Sequence, residues 1–300
     1  MDKIKESPKK IRQASTVILV REHEKELQIY LLRRSTGSGF FPGNYVFPGG
    51  ALDPGDGQAE FWIPFIDRSI EDLLKIFGAG LKPEEIIAYG VAAIRETFEE
   101  AGVLLAGSKN NFKDALQRAC ALRSEGKLKE GWLHQRVSPE DVRLSFSNLF
   151  PWSHWITPQG MPKRFDTRFF VAFMPEGQEC IPDDLETVHG LWISPGKGLE
   201  GNMKGEIALS PPTLVTLHGL LGYETVGSLK KGLQSRSWGD PISPILMKLD
   251  KGAVLVEPWD PQYGKEIEID PEGLKTRVVS VGEPFSRLWL DQGIWRPIRV

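Results

Sequence analysis

The hydrophobic and polar positions near the amino end of the chain follow a strand pattern. The runs 14–20 and 27–33 are rich in residues that favour strands, and a charged stretch around 22–26 separates them. Two such runs on either side of a polar turn predict a β-hairpin. The short run 45–47 predicts a further strand, and it leads directly into the turn residues Pro48–Gly50.

A helical pattern dominates the segment from Glu84 to Ala101. Apolar residues recur there at helical spacing and form one stripe, which we expect to be buried: Ile87, Val91, Ile94, Phe98 and Ala101. Pro83 stands where a proline that begins a helix is tolerated, and Gly102 is well placed to end the helix.

Weaker patterns predict the remaining elements. The predicted helices are 68–77, 112–123, 139–146, 211–221 and 226–233. The predicted strands are 152–156, 165–173, 187–194, 253–257 and 277–281. Mixed helices and strands of this kind indicate an α/β or α+β layered core. The pattern of predicted helices and strands changes after about residue 200, and this change indicates a C-terminal extension.

Composition and charge narrow the classes of function. Among 300 residues, 37 Lys and Arg against 40 Asp and Glu leave a net charge of −3, which gives no electrostatic reason to expect duplex nucleic acid or an anionic membrane as partner. The two cysteines, Cys120 and Cys180, cannot supply a disulfide framework for such a chain. No secretory signal and no apolar run of the roughly 20 residues that span a bilayer are recognisable. We therefore expect a cytoplasmic protein.

Three carboxylates share one face near the end of the predicted 84–101 helix. Glu99 and Glu100 follow Glu96 by three and four positions, so like charges repel and the helix dipole disfavours all three. A divalent cation would relieve both effects, and oxygen-only ligands suit Mg²⁺ or Mn²⁺. On spacing alone, a solvated glutamate pair is the more frequent case. Arg95 is either a surface partner of Glu99 or a cation that orients one carboxylate.

The segment from Gly50 to Val103 resembles the box of the Nudix hydrolase family. That box reads Gly, five residues, Glu, seven residues, and then Arg-Glu-U-x-Glu-Glu-x-Gly-U, where U is a bulky apolar residue. Gly50 begins the box, and residues 95–103 match every fixed position of its second half, with Thr97 a mild departure at a U position. Asp56 replaces the first Glu, and the 38 residues from Gly57 to Ile94 replace the seven-residue spacer.

An interrupted box is similar to that of one branch of the family, the longer enzymes resembling peroxisomal coenzyme A diphosphatase. Further matching passages are 31–35, 155–158, 164–170, 182–183, 186–188, 192–195 and 211–213. The resemblance implies an α/β/α sandwich with a mixed β-sheet. We divide the chain into a Nudix domain over 1–222, with an insertion at about 57–83, and a C-terminal extension of unknown role over 223–300.

The resemblance also implies roles for particular residues. Glu96, Glu99 and Glu100 would hold Mg²⁺ or Mn²⁺, with the Gly50 carbonyl as an additional ligand. The catalytic set would be Glu99, Glu100 and Arg95, in which Arg95 fixes a carboxylate. The residues expected to meet substrate phosphates are Arg33, Arg34, Lys163, Arg164 and Arg168. Arg164 and Arg168 fit equally well as surface charges at a strand edge.

Several other residues are candidates for the site on weaker grounds. Asp183, Asp184 and Glu186 are candidates for a further metal ligand or a general base, although each is more typical of a loop acid. Phe40, Phe41 and Tyr45 are candidates for stacking on a base. Trp62 is the tryptophan of the insertion that we select for substrate contact, while His154 and His189 are isolated in the sequence.

The expected activity is metal-dependent hydrolysis of a pyrophosphate bond in a small, nucleotide-type substrate. Coenzyme A or its acyl ester is the preferred substrate, giving 4′-phosphopantetheine or its acyl form and adenosine 3′,5′-bisphosphate. A diphosphatase for NADH, a nucleotide sugar or an oxidised nucleotide is the alternative. A module that binds ligands without catalysis stays open as well, as does a homodimer.

Overall fold

The fold is described by a computed structural model over residues 11–37, 41–78, 80–108, 112–137, 142–183 and 187–300. Within these ranges the strands are β1 Arg12–His23, β2 Glu26–Arg34, β3 Tyr45–Val46, β4 Gly49–Ala51, β5 Ala106–Ser108, β6 Val142–Leu144, β7 Phe150–Ile156, β8 Phe165–Phe173, β9 Thr187–Ile193, β10 Ile245–Lys248, β11 Ala253–Val256, β12 Arg287–Asp291 and β13 Ile294–Ile298. The helices are α1 Ala59–Trp62, α2 Ile70–Phe77, α3 Pro83–Ala101, α4 Phe112–Ser124, α5 Trp132–Val137, α6 Pro195–Lys204, α7 Pro211–Leu220 and α8 Val226–Leu233. Short 3₁₀ helices lie at Ile63–Phe65, Phe146–Asn148 and Leu274–Arg277.

The central sheet is mixed, as the sequence predicts. Strand β1 pairs in parallel with β8, from Arg12 opposite Phe165 to Val20 opposite Phe173. The other edge of β1 pairs antiparallel with β4 at its beginning and with β2 at its end. Strand β7 extends the sheet beyond β8, while β3 and β9 pair with β2. The box segment β4 therefore lies beside the first residues of β1.

The predicted hairpin is present as β1 and β2. His23 pairs with Glu26, so Glu24 and Lys25 alone form the loop. Both loop residues have positive φ angles, 52° and 66°. This backbone conformation matches the right-handed twist of the flanking strands and is preferred in two-residue hairpin loops.

Helix α3 begins and ends where the sequence predicts. Pro83 is its first residue, and Gly102 adopts the left-handed conformation at its end, with φ 73° and its N–H donating to the Phe98 carbonyl. Fourteen of its 19 residues are buried, far more than the predicted apolar stripe. Gly90 permits this close packing, because a β-carbon at that position would lie 2.3 Å from the Phe146 ring.

Apolar cores lie on both faces of the central sheet. One core contains α3, the α1–α2 region and the odd-numbered residues of β1, such as Val17 and Leu19. The other contains residues of α6, α7, α8 and the C-terminal strands, packed on Ile18 and Val20. Since side chains alternate along a strand, β1 supplies both cores. The result is the expected α/β/α arrangement.

The insertion inside the box contributes side chains to the interior of the protein. Four of its side chains are buried in the core beside α3: Trp62, Ile66, Leu73 and Phe77. The indole N–H of Trp62 donates to the Gly55 carbonyl at 2.8 Å, just before the insertion begins. The insertion is therefore part of the interior and does not place Trp62 at the surface.

The C-terminal extension forms an antiparallel sheet in the order β10-β11-β12-β13. The predicted strand 277–281 is wrong in most of its length, because a 3₁₀ helix ends at Arg277 and only Val278 bridges, to Ile298. The predicted helix 139–146 is also wrong in its described part, which contains β6. Among the described helices, none is both long and apolar enough to cross a membrane.

Candidate active site

A cavity of about 460 Å³ lies against one face of the central sheet. Alternate residues of the two parallel strands line it, Ala14 and Thr16 from β1 and Thr167 and Phe169 from β8. Since neighbouring residues of a strand point to opposite faces, the residues between them are directed toward α3. Ser15 shows this, because its hydroxyl donates to the Tyr89 carbonyl of α3 at 2.7 Å.

The two halves of the box meet at one end of this cavity. Gly49 and Gly50 of β4 line it together with Glu96 and Glu100 of α3. The Gly49 N–H donates to Glu100 Oε2 at 2.8 Å. A β-carbon on Gly50 would lie 2.4 Å from the Glu96 carboxyl, so any larger residue here would displace this carboxylate from its position against β4.

Arg95 joins the two halves of the box. Its Nε and Nη2 donate to Asp56 Oδ1 at 3.1 Å and Oδ2 at 2.9 Å. Its Nη1 donates to Glu96 at 2.8 Å and Glu99 at 3.1 Å, and Nη2 also donates to the Ala51 carbonyl at 2.9 Å. Asp56, despite its shorter side chain, therefore occupies the first acidic position of the box as a buried partner of Arg95.

This cluster contains more negative than positive groups. Burial raises the pKa of Glu96 to about 7, although Arg95 lowers it and Glu99 adds a further upward effect. Burial also raises the pKa of Glu99, against the lowering effect of Arg95. Burial lowers the pKa of Arg95, but the hydrogen bond and charge of Asp56 with the charges of Glu96 and Glu99 outweigh this and raise it. One guanidinium does not offset these carboxylates, which favours an additional cation.

Glu99 is held away from the cavity by a residue that the sequence did not single out. The Trp132 indole N–H of α5 donates to Glu99 Oε1 at 2.6 Å. Oε2 of the same carboxylate accepts from Arg95. Helix α5 itself is held by the insertion, because the Phe61 ring stacks on His134 with 3.4 Å between the ring centroids.

The expected metal ligands are only partly gathered. Within the described ranges, no three acidic, histidine or cysteine side chains lie close enough together to hold a metal ion. Glu96, Glu100 and Gly50 line the cavity, but Glu99 faces Arg95 and Trp132. Carboxylate and carbonyl oxygens at the cavity nevertheless have the chemistry that Mg²⁺ prefers. The excess of negative charge also fits a divalent cation.

Among the described residues, three cationic side chains line the cavity: Arg12, Arg34 and Lys163. Of the residues predicted to meet substrate phosphates, Arg34 and Lys163 line the cavity. Arg12 was missed, although strand alternation puts it on the same face as Ala14 and Thr16. A guanidinium or ammonium at such a surface can meet phosphate oxygens through charge-assisted hydrogen bonds.

The other predicted arginines do not line the cavity. Arg33 is exposed on β2, and Arg164 donates from Nε to the Thr157 carbonyl at 3.1 Å. Arg168 is directed toward α3, because the next residues along β8, Thr167 and Phe169, face the cavity. Its guanidinium lies 5.0 Å from the Trp238 ring centroid and is buried. The expected phosphate contacts of these three arginines therefore have no support in this geometry.

Of the remaining candidate residues, some line the cavity and others do not. Phe41 lines the cavity and Tyr45 does not, while Phe40 lies outside the described residues. Asp183 accepts hydrogen bonds from the backbone N–H and the hydroxyl of Thr187 at 2.9 and 2.8 Å. Asp184 and Glu186 lie outside the described residues. His154 is not isolated, since its Nε2 lies 2.7 Å from the Asp166 carboxylate.

Comparison with known proteins shows what this chain is similar to. The family model for the NUDT19 Nudix domain matches residues 74–220. The acyl-coenzyme A diphosphatase NUDT19 of Homo sapiens is 28% identical over 302 residues, which cover 87% of this chain and 80% of that protein. The Xenopus laevis protein of the same name is 27% identical over 304 residues, covering 89% and 79%.

A solved structure shows the same fold. The crystal structure of a NUDIX hydrolase from Alicyclobacillus acidocaldarius superimposes with a TM-score of 0.61 at 25% sequence identity. The match covers 77% of this chain and 99% of that one. The match leaves less than a quarter of this chain uncovered. The C-terminal extension and the insertion together contain more residues than that, so the match includes a part of them.

Proposed function

Because the chain belongs to the Nudix hydrolase family and is similar to acyl-coenzyme A diphosphatases over most of its length, we propose that it hydrolyses coenzyme A or acyl-coenzyme A. The pyrophosphate bond is the one that breaks. The products are 4′-phosphopantetheine, or its acyl form, and adenosine 3′,5′-bisphosphate. The observation that carries the proposal is the cavity in which Glu96 and Glu100 lie with three cationic side chains.

The cations of the cavity bind the substrate. A diphosphate brings negative charge beside carboxylates, and this arrangement is unfavourable unless positive groups offset it. Arg12, Arg34 and Lys163 supply that charge from β1, β2 and the loop before β8. They hold the diphosphate over the box while the remaining substrate extends along the cavity.

Glu96, Glu100 and the Gly50 carbonyl are the residues that would hold a divalent cation, Mg²⁺ or Mn²⁺. Nudix hydrolases generally use such ions. When bound, the ion offsets phosphate charge and makes a water molecule more acidic. Glu99 is the remaining carboxylate of the box, and we assign it to positioning through Arg95 and Trp132.

Water attacks one phosphorus, the bond from that phosphorus to the bridging oxygen breaks, and the second phosphate leaves with this oxygen. Glu100 takes the proton of the attacking water as general base. The Gly49 N–H donates to Oε2 of Glu100 at 2.8 Å and so positions this carboxylate beside the box backbone. Arg95 is a positioning residue, because it contacts carboxylates and lies away from the reacting phosphorus.

Product analysis tests the proposal directly. The purified protein with Mg²⁺ is incubated with coenzyme A, lauroyl-coenzyme A, NADH and a nucleotide sugar, and the products are separated by chromatography. We expect adenosine 3′,5′-bisphosphate from the first two. Cleavage of NADH or the sugar nucleotide alone would overturn the substrate assignment. A protein that binds these compounds without cleaving any of them would be a binding module.

A carboxylate variant tests the assignment of Glu100. Glu100→Gln keeps the size of the side chain and should abolish turnover while circular dichroism stays unchanged. Glu84→Gln is the matched control, since Glu84 is exposed in the first turn of the same helix. Retained activity in Glu100→Gln contradicts the proposed base.

A further inference from the structure

The C-terminal extension lines the cavity opposite the central sheet. Pro244, Leu246 and Leu255 line it from β10, β11 and the segment before them, and Trp295 lines it from β13. No chemistry in the sequence indicated a role for this part of the chain. The same cavity therefore reaches from the box carboxylates to the C-terminal sheet.

The C-terminal sheet is fixed in this place by hydrogen bonds on two sides. The Ile242 N–H donates to the His154 carbonyl at 2.7 Å, and its carbonyl accepts from the Ile156 N–H at 2.9 Å. On the other side, Asn202 Nδ2 donates to the Trp295 carbonyl at 2.8 Å. The Asn202 side chain is buried, so this contact is shielded from water. The wall of the cavity is thus a fixed part of the fold.

The chemistry of this wall differs from that of the opposite end. Of the described residues, those of the extension that line the cavity carry no charge, and Trp295 alone among them has a side-chain N–H. Met161 and Phe165 add further apolar surface from the side of β8. An adenine ring would bury several nitrogen atoms here without partners, which is unfavourable. An aliphatic chain has no such groups and gains from leaving water.

We propose that the C-terminal sheet forms the subsite for the acyl chain of the substrate, with Leu246, Leu255 and Trp295 selecting acyl-coenzyme A over coenzyme A. This inference rests on the proposed function and adds the part of the molecule that recognises the apolar group. The cations and carboxylates at one end hold the diphosphate. The apolar wall holds the acyl arm that extends from it.

Leu246→Asn tests the subsite, because Leu246 is only partly buried and β10 is an edge strand. The ratio kcat/KM is measured for coenzyme A, hexanoyl-coenzyme A and lauroyl-coenzyme A. We expect the variant to lose about tenfold for the lauroyl ester relative to coenzyme A, mainly through KM. Met247→Asn is the matched control, since this neighbour packs on the other side of the sheet. It should leave the ratio unchanged.

A second variant keeps the test independent of stability. Leu246→Phe fills the subsite without adding a polar group, so it should lower kcat/KM for the lauroyl ester more than for the hexanoyl ester. Equal losses for all three substrates in both variants would overturn the subsite. Wild-type protein that cleaves coenzyme A and lauroyl-coenzyme A equally well would overturn the subsite alone. Protein that cleaves neither would overturn the proposed function and the subsite with it.

Discussion

Arg95→Gln is the perturbation whose effect follows most directly from the structure. The variant removes the buried cation that donates to Asp56, Glu96, Glu99 and the Ala51 carbonyl. The side chains of Arg95 and Asp56 are only 6% and 4% exposed. After the change, Asp56 still accepts a hydrogen bond from the Asp53 N–H at 2.8 Å. Its ion pair with Arg95 is lost.

The expected loss of stability is large. Removing one partner of a buried ion pair costs roughly 3–5 kcal/mol, because the other charge stays buried without compensation. The contacts of Arg95 with Glu96 and Glu99 add less, since these carboxylates are 14% and 29% exposed and solvent screens them. We therefore expect the free energy of unfolding to fall by roughly 3–5 kcal/mol.

Urea unfolding followed by tryptophan fluorescence measures this loss. The double variant Arg95→Gln/Asp56→Asn should be more stable than the sum of the two single variants predicts, with a coupling energy of roughly 2 kcal/mol. Lys75→Gln is the control, because its pair with Asp72 has side chains that are 76% and 50% exposed, and stability should hardly change. A loss below about 1 kcal/mol for Arg95→Gln would refute the argument from burial.

Three further predictions concern separate parts of the molecule. Burial raises the pKa of Glu257 from 4.5 in the unfolded chain to about 8, so stability should fall as pH rises between these values. Glu257→Gln should lessen that slope in urea unfolding, and Glu96, whose pKa burial also raises, supplies part of the remainder. Trp132→Phe removes the N–H on Glu99 and should lower kcat about tenfold, and it should also lower the free energy of unfolding because Trp132 is buried against Phe98. Gly50→Ala forces a β-carbon against Glu96 and should lower kcat about tenfold with an unchanged circular dichroism spectrum.

Each of these predictions has a contradicting result. An equal pH slope in Glu257→Gln and wild type would show that this carboxyl stays solvated. Unchanged kcat in Trp132→Phe would show that Glu99 needs no hydrogen bond from the indole. For Gly50, the matched control is Gly55→Ala, where a β-carbon meets no atom within 4 Å. Equal activities of these two glycine variants would contradict the close approach of β4 to the carboxylate.

The elements that the sequence predicted best are those with strong local signals. Helix α3 combines an apolar period, a proline at its first turn and a glycine after its last residue. Helix α6 was not predicted, because Gly196, Gly198 and Gly201 disfavour a helix locally. Tertiary packing favours glycine in this helix, because a β-carbon at Gly198 would lie 2.6 Å from Leu217 and one at Gly201 would lie 2.7 Å from Ile207. Such contacts are not visible in local periodicity.

In the candidate site as well, the residues of the box could be predicted from the sequence, and the contacts that depend on tertiary packing could not. The resemblance to the Nudix box was enough to expect Gly50, Asp56, Glu96 and Glu100 at one place. Which side of β8 faces the cavity depends on packing against α3, so the orientation of Arg168 could not be inferred from its position. The C-terminal wall carries no motif, and only the folded chain shows that it reaches the box.

The burial of the insertion limits how this protein can be shortened. Deleting residues 57–83 to restore a compact spacer would remove Trp62, Ile66, Leu73 and Phe77 from the interior and leave a cavity beside α3. Core cavities of even one large side chain cost several kcal/mol, comparable with the whole margin of stability of a typical domain. A chain that has acquired this segment therefore cannot return to the short box by a single deletion, and redesign must replace the lost packing first.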